Sequence, residues 1–452
     1  HSKNEQKDIE YFKKKLKQYQ KKNYLNFNNI LFVSKFKFQK KEIDSEIDFS
    51  NSIFNINVDF SGIKFLNKVN FKKTKFNKKS DFSEAEFNKE VDFSEVEFVL
   101  RTKFSDTKFY NKSNFYKSIF NWRSYFSKTK FYGEVNFSEA EFVLRIKFSG
   151  AEFYKESNFC KSVFKNKSFF SNAEFKKNVD FSEAEFKEKV RFKKTKFKEG
   201  ANFSNTIFNN KTYFAENEFK EEVNFSNSIF NDFIFFSGNI EKKEFIFNNI
   251  EKLNFSNCLG SEKLIFRHAD LTKCQFIYTD LRKTEFVNVK WAKKGNRHIV
   301  YDEEINNDDK NFDAIEKLYR ELKQNFEDRK DYVLAGEFNV SEKEVKLKNK
   351  KTPLSIQIIL ILYKNLSNYN ESIRYSFLWI LFLVLYSALN YYLNTEKLDI
   401  WGSLHESLRA LFLTQKALDE NNTSIFAYTF EKSLSPILLA SFGLTINQKL
   451  KR

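Results

Sequence analysis

The chain has 452 residues but no methionine, two prolines, ten glycines, three cysteines and four histidines. Two prolines exclude a proline-rich or collagen-like protein. The cysteines Cys160, Cys258 and Cys274 lie far apart in no metal-ligand spacing, so neither a disulfide framework nor a zinc site is expected and the thiols read as reduced. The histidines His1, His268, His298 and His405 are scattered, and no glycine-rich phosphate loop, HExxH or nucleophile elbow occurs. The chain is therefore not read as an enzyme: no catalytic residue, cofactor or metal is expected. It begins with His1, which fits a trimmed N-terminus, and no secretory signal is read before the patterned region. Against these scarcities stand 58 Phe and 20 Tyr, where ordinary usage spreads apolar residues over Leu, Val, Ala and Ile. With 41% hydrophobic residues the chain is too apolar to stay disordered, so it folds and something periodic sets its composition.

The period is eleven. Phe recurs at Phe49, Phe54, Phe60, Phe65, Phe71 and Phe76, in steps alternating five and six, and continues so to Phe236. Phe27, Phe32, Phe38 and Ile43 extend the rhythm backwards. A second column two residues before each Phe (Val58, Ile63, Val69, Thr74, Ser80, Ala85) is small or β-branched, with Asn217 the exception. On a helix, at about 100° per residue, these four positions fall near 0°, 140°, 160° and 300°, so no helical face collects them. In an extended segment, positions i−2 and i point the same way, and corners such as Ser-Glu, Ser-Asn or Lys-Lys can turn the chain. Four corners close a square coil that stacks Phe on Phe at about 4.8 Å per turn, with Lys, Glu, Asn and Asp outside.

These units resemble the pentapeptide-repeat family, most closely where Ala269-Asp270-Leu271, Cys274-Gln275-Phe276, Thr279-Asp280-Leu281 and Thr284-Glu285-Phe286 run in strict fives to Val289-Lys290-Trp291. The resemblance covers residues 27–291 and implies a right-handed quadrilateral β-helix. The extra residue in every second unit should fall on two opposite corners. Residues 237–265 lose register, with Phe245, Ile250 and Phe255 in fives and then a gap to Phe266, so a distorted coil or loop is expected there. One coil cannot repay its own ordering entropy, so stability must come from neighbours along about a dozen coils, and the ends need caps. Residues 1–26, with Ile9, Phe12, Leu16 and Tyr19 at helical spacing, suit an amphipathic capping helix.

After Trp291 the pattern changes. A polar linker, Lys293 to Lys310, leads to a helical hairpin within residues 292–350, carrying Tyr319, Leu322, Tyr332, Ala335 and Phe338 in spacing that resembles a tetratricopeptide-type hairpin. Within residues 351–452, segment 353–363 reads as an interfacial helix and 375–393, uncharged, as a transmembrane helix. Segment 401–418 forms an apolar stripe, and 428–448 is expected as a second transmembrane helix despite Pro436. Lys and Arg flank this pair on the outside, so both termini are expected in the cytoplasm. The Lys, Asn, Phe and Ile content suits a bacterium with AT-rich DNA, and with the two spans the expected location is the bacterial inner membrane, as a multi-pass protein.

Span, amphipathic helix, polar turn and span resemble two-span pore-loop cation channels in layout. No Thr-Val-Gly-Tyr-Gly filter is present; the sequence there is Thr414-Gln415-Lys416-Ala417-Leu418-Asp419. If a pore exists, Thr414, Gln415, Ser441, Thr445 and Gln448 are the polar residues expected to line it. The family resemblance also implies imitation of DNA by an acidic rod, but Phe49 to Phe236 hold 33 Lys and Arg against 25 Asp and Glu, a net charge of +8, the wrong sign. Nucleic acid is not expected as a partner, because acids are interleaved and the aromatics are assigned to the core. Two readings remain: a membrane-anchored scaffold presenting its β-helix to a protein partner, or an oligomeric channel-like protein. The expected partners are the lipid bilayer, a protein and further copies of the chain.

Overall fold

A computed structural model describes residues 24–450 apart from residues 35, 39, 296, 306–310, 395–398 and 413–421. The chain forms two compact units, residues 1–292 with 300–302, and residues 293–299 with 303–452.

The first unit is a β-solenoid of about twelve coils. Two-residue strands such as Val58–Asp59, Lys64–Phe65, Val69–Asn70 and Lys75–Phe76 follow one another around a coil. Each pairs in parallel with the strand 22 residues on, as in Ser80 with Thr102 and Phe87 with Phe109. The result is four parallel sheets of twelve, eleven, nine and ten strands, one per side. In each strand one residue points in and its neighbour out, which is why a repeat of eleven builds two sides and a repeat of 22 builds a coil.

The two kinds of corner differ as the alternation of five and six requires. After Phe71 a tight β-turn is closed by Thr74 N–H donating to the Phe71 carbonyl at 2.9 Å, with Lys73 in the left-handed region at φ 57°. Glu84, Glu95, Asp106, Lys117 and Lys128 repeat this conformation every eleven residues. The longer corners, such as Asn55-Ile56-Asn57, take up the sixth residue, so the additions do fall on opposite corners.

Inside, the rings form continuous stacks. Phe82, Phe104, Phe126, Phe148 and Phe170 lie 4.7 to 5.0 Å apart ring to ring in one stack, and rings from opposite sides, such as Phe115 and Phe126, meet edge to face. Thr and Ser are tolerated in the inner small column because their hydroxyls reach a carbonyl of the previous coil, as Thr107 Oγ1 does to Phe82 at 2.7 Å and Thr195 to Phe170 at 2.8 Å. Asn217 is buried by the same device, its amide donating to the Thr195 carbonyl at 3.2 Å and to that of Phe192.

Departures from the expected pattern lie at the ends and in the irregular coil. The capping-helix assignment of residues 1–26 falls outside the described residues up to residue 23, and Tyr24–Asn26 is instead the first strand, paired with Glu46–Asp48. In the first coil Phe36, two residues before Phe38 in the column otherwise held by small residues, joins the core 5.2 Å from Phe32. Between residues 237 and 265 a coil lengthens by eight residues, so that Phe225 stacks on Phe255 and Phe236 on Phe266. There Phe247 (φ 64°), not Phe245, stacks on Phe219, while Phe245 lies outside beside His268. The segment expected as a plain linker contains strands Ala292–Lys294 and Arg297–Ile299 and a helical turn Tyr301–Ile305.

The second unit is helical. Helices α1 (Phe312–Asp328) and α2 (Tyr332–Lys348) form the hairpin, with Phe338 packed on Phe326 at 5.6 Å and on Tyr319 at 6.1 Å. Then come α3 (Leu354–Ser367), α4 (Ile373–Asn394), α5 (Ile400–Leu411) and α6 (Asn422–Leu450), which runs through Pro436. Leu383, Val384, Leu411 and Leu438 form the core shared by α4, α5 and α6. Among the described residues, one stretch, Ile373–Leu393, is by length and composition apolar enough to cross a membrane.

Candidate functional site

Three places gather polar chemistry. The first is the outside of the solenoid, where residues 22 apart stand one above another. On the nine-stranded side, Lys108 pairs with Glu86 at 3.0 Å and Lys130 with Glu152 at 3.2 Å, so interleaved charges neutralise one another. Beside them Tyr110, Tyr132 and Tyr154 stack at 5.1 and 4.6 Å, and the Lys176 ammonium covers the last ring at 3.6 Å. A hydrogen bond to Glu152 and burial push the Tyr154 phenol up to about 12. The twelve-stranded side holds a shallow cleft of about 760 Å³, lined in part by Asn136, Asn158, Asp180, Asn202 and Asn224. Each of these side chains accepts the backbone N–H two residues on, for example Ser138 N–H to Asn136 at 2.9 Å and Ser182 N–H to Asp180 at 2.9 Å. These amides and carboxylates shape the corner, which explains the Asn/Asp column.

The repeat that gives this surface is also recognised independently. The family model described as pentapeptide repeats matches residues 49–97, 148–196 and 170–216, with nine copies. Over these residues the solenoid is built of pentapeptide repeats. Comparison with curated proteins and with solved structures finds no match.

The second place closes the last coils of the pentapeptide-repeat solenoid. Buried Asp302 accepts from the Phe276 and Ile277 N–H groups at 2.9 and 3.0 Å. Burial pushes its carboxyl up to about 6, although the two N–H groups favour the charge. Cys258 and Cys274 are buried free thiols; burial pushes Cys258 up to about 12 and Cys274 well above its ordinary value, so neither is a ready nucleophile. Among the described residues, no three His, Cys, Asp or Glu side chains gather as a metal site.

The third place is the helical unit. Glu303 accepts both guanidinium nitrogens of Arg297 at 2.9 and 2.6 Å, the Tyr319 hydroxyl at 2.7 Å and Lys348 at 3.0 Å. Burial alone would raise this carboxyl, but Arg297 overrides it and holds it at about 2. The cluster pins Arg297–Ile299 to the hairpin, a structural task. His298 is engaged by Glu337, and its carbonyl accepts from Ser341 at 2.7 Å. Farther on, Glu431 is buried between α4, α5 and α6, accepting from the Tyr391 hydroxyl at 3.0 Å and from Ser407 at 2.6 Å. Ser387, Ser403 and Ser435 are buried as well, Ser435 donating to the Glu431 carbonyl at 2.7 Å.

Of the residues expected to line a pore, Thr414 and Gln415 lie outside the described residues. Thr445 is buried and donates to the Ser441 carbonyl at 2.8 Å, and Gln448 donates to Glu371 at 2.9 Å. The Ser441 hydroxyl is shielded from solvent with no hydrogen-bond partner among the described residues. The structure thus leaves Ser441, Thr445 and Gln448 along one helix. Sequence reasoning passed over Asp302, Glu303 and Glu431. The first two had no periodic signal, but an acid inside an apolar stretch, as at Glu431, is itself a signal.

Proposed function

We propose that this protein is a membrane-anchored scaffold whose pentapeptide-repeat solenoid presents long faces to partners, with both termini on the cytoplasmic side of a bacterial inner membrane. The observation that carries the anchor is the inverted polarity of the helical unit. Phe377, Leu378, Leu381, Phe382, Leu385, Leu389 and Leu393 are exposed on α4, while Ser376, Ser387, Tyr391, Glu431, Ser407 and Thr445 are buried. In water such a bundle would be turned inside out; in lipid tails the exposed aliphatic side chains cost nothing and the buried polar groups bond to one another. Helix α3 adds exposed Leu354, Ile358, Ile359 and Leu362, as an interfacial helix would.

An anchor fits better than a pore-lining role for Thr445 and Gln448, whose polar atoms bond within one chain. The second crossing is assigned to α6, which packs along α4 but carries Glu431 and Lys432 near one end of the apolar stretch. The solenoid supplies flat parallel faces whose side chains repeat at a fixed spacing, a geometry suited to recognition. Membrane fractionation of the full chain tests the anchor. It should stay in the pellet through alkaline carbonate and leave only with detergent; recovery in the soluble fraction without detergent would overturn it.

A further inference from the structure

Written in rows of 22 residues, the residues before seven successive strands of the eleven-stranded side, from Ser80–Asp81 to Thr212–Ala215, are Lys79, Arg101, Arg123, Arg145, Lys167, Lys189 and Lys211. The backbone makes these a column. Ser80 N–H donates to the Arg101 carbonyl at 3.2 Å, Thr102 to Arg123 at 3.4 Å, Ser124 to Arg145 at 3.1 Å, Ile146 to Lys167 at 3.3 Å, Ser168 to Lys189 at 3.1 Å and Val190 to Lys211 at 3.3 Å. Seven cations therefore stand in line over six coil steps, about 29 Å at about 4.8 Å each. None of the seven forms an ion pair among the described residues, whereas the lysines of the nine-stranded side pair with glutamates across coils.

The neighbouring outward column alternates cation and ring: Lys103, Tyr125, Lys147, Phe169, Arg191, Tyr213. Phe169 lies between the guanidiniums of Arg145 and Arg191, each 5.8 Å from the ring centre, and Lys189 lies 4.5 Å from that of Tyr213. Next to Arg123, on the corner, Trp122 projects with 46% of its surface exposed. The acids on this strip are Asp81, tied to Lys103 at 2.8 Å, and Glu188, which accepts from Asn210 at 3.5 Å. The excess charge of the array is thus gathered on one side, which the average over all sides concealed, and aromatic rings are found outside as well as in the core.

We propose that the eleven-stranded side binds single-stranded nucleic acid, the cation column following the phosphates and the exposed Trp122 offering a face to a base, while Tyr125 and Phe169 hold the neighbouring cations Lys147, Arg145 and Arg191 in the strip. Keeping seven like charges unpaired and stacked is unfavourable unless a polyanion neutralises them. The strip is long, straight and only two side-chain columns wide, which matches one strand better than a bilayer surface or a duplex. Sequence-tolerant binding by cations with interleaved rings is the recognised physics of single-strand sites. This inference does not depend on the membrane anchor.

The test uses the full chain in detergent and a fluorescent oligothymidylate of about 15 nucleotides, with affinity measured against salt. Replacing Arg101, Arg123 and Arg145 by Gln should weaken binding and reduce the slope of log affinity against log salt by about 2, since each phosphate contact on a single strand contributes about 0.7. Replacing Lys64, Lys108 and Lys130 of the nine-stranded side by Gln removes the same charge and should leave affinity within about 2-fold. Trp122→Ala, at an exposed corner, should weaken binding by about 5-fold or more. Circular dichroism checks that each variant keeps its fold. Equal weakening by the two triple variants, preference for a duplex of the same length, or binding only to phosphatidylserine vesicles and not to the oligonucleotide would each overturn the proposal.

Discussion

Removing one ring from the middle of the spine should open the solenoid locally. Phe126 has none of its surface exposed, is stacked on Phe104 at 4.7 Å and on Phe148 at 4.9 Å, and meets Phe115 and Phe137 edge to face at 5.6 and 5.4 Å. Phe126→Ala loses the transfer energy of the side chain and leaves a cavity between fixed coils, together about 3 to 5 kcal/mol. The walls cannot collapse, because each coil is held to the next by the parallel ladder, so the upper part of that range applies. Since each coil contacts only its neighbours, the loss should be local. Amide hydrogen exchange reads it directly. The Phe126 N–H, which donates to Lys147 at 2.7 Å, and the Phe104 N–H, which donates to Tyr125 at 2.7 Å, should exchange about two to four orders of magnitude faster. Amides near Phe54 should be unchanged. Tyr132→Ala provides the contrast: its half-buried ring stacks in an outer column, and its loss should cost about 1 kcal/mol or less. A change below about tenfold at Phe126, or an equal change for Tyr132→Ala, would refute the idea that the ring spine holds the coils together.

Further outcomes follow from single residues. A methyl on Gly260, at φ 73°, would lie 2.0 Å from the Phe230 carbonyl oxygen, so Gly260→Ala should destabilise that coil by about 3 kcal/mol or more in urea titrations. Gly62, at φ 64°, has nothing within 4 Å of that position, so Gly62→Ala should cost only about 1 kcal/mol. Glu303, held at about 2 against 4.5 when unfolded, contributes stability above pH 4.5 that is lost as pH falls toward 2. That contribution is about 3 kcal/mol. Helical circular dichroism should show the acid loss in the wild type and a much flatter profile for Glu303→Gln, which starts less stable. Asp302 has the opposite sign: with a folded value of about 6 against 3.8 unfolded, the closing coils are most stable below pH 3.8 and lose that increment as pH rises through 6. The Phe276 and Ile277 amides, corrected for intrinsic exchange, should become less protected over that window; constant protection would count against burial of Asp302.

How much could be read in advance depended on whether a residue's neighbours are fixed by the repeat. Phe60 and Val58 could be assigned inward because every coil repeats their spacing: Phe60 packs on Phe82, and Val58 pairs with the likewise small and buried Ser80. In the lengthened coil the same spacing misled. Phe245 fits a step of five, yet Phe247 is the ring that stacks on Phe219, because the inserted turn lets φ become positive there and swings the chain by two residues. The helical segments were legible as apolar runs, and the uncharged run 375–393 lies within the helix Ile373–Asn394. The ends of such runs were not, since helix ends are set by packing: the interfacial segment read as 353–363 continues to Ser367.

By itself the sequence determined the coil, because a period of eleven with two inward columns admits one way to bury the Phe that recur from Phe49 to Phe236. Only the tertiary structure decided which charges meet. Residues 22 apart in the chain become neighbours about 5 Å apart once the ladder forms. That stacking pairs Lys108 with Glu86, yet it lines up Arg101, Arg123 and Arg145 with no acid between them. It also decided the fate of isolated acids: Glu303 and Glu431 look alike in the sequence, but one is buried against a guanidinium and the other against hydroxyls. Electrostatics depends on through-space distance, and distance between remote residues is a property of the fold.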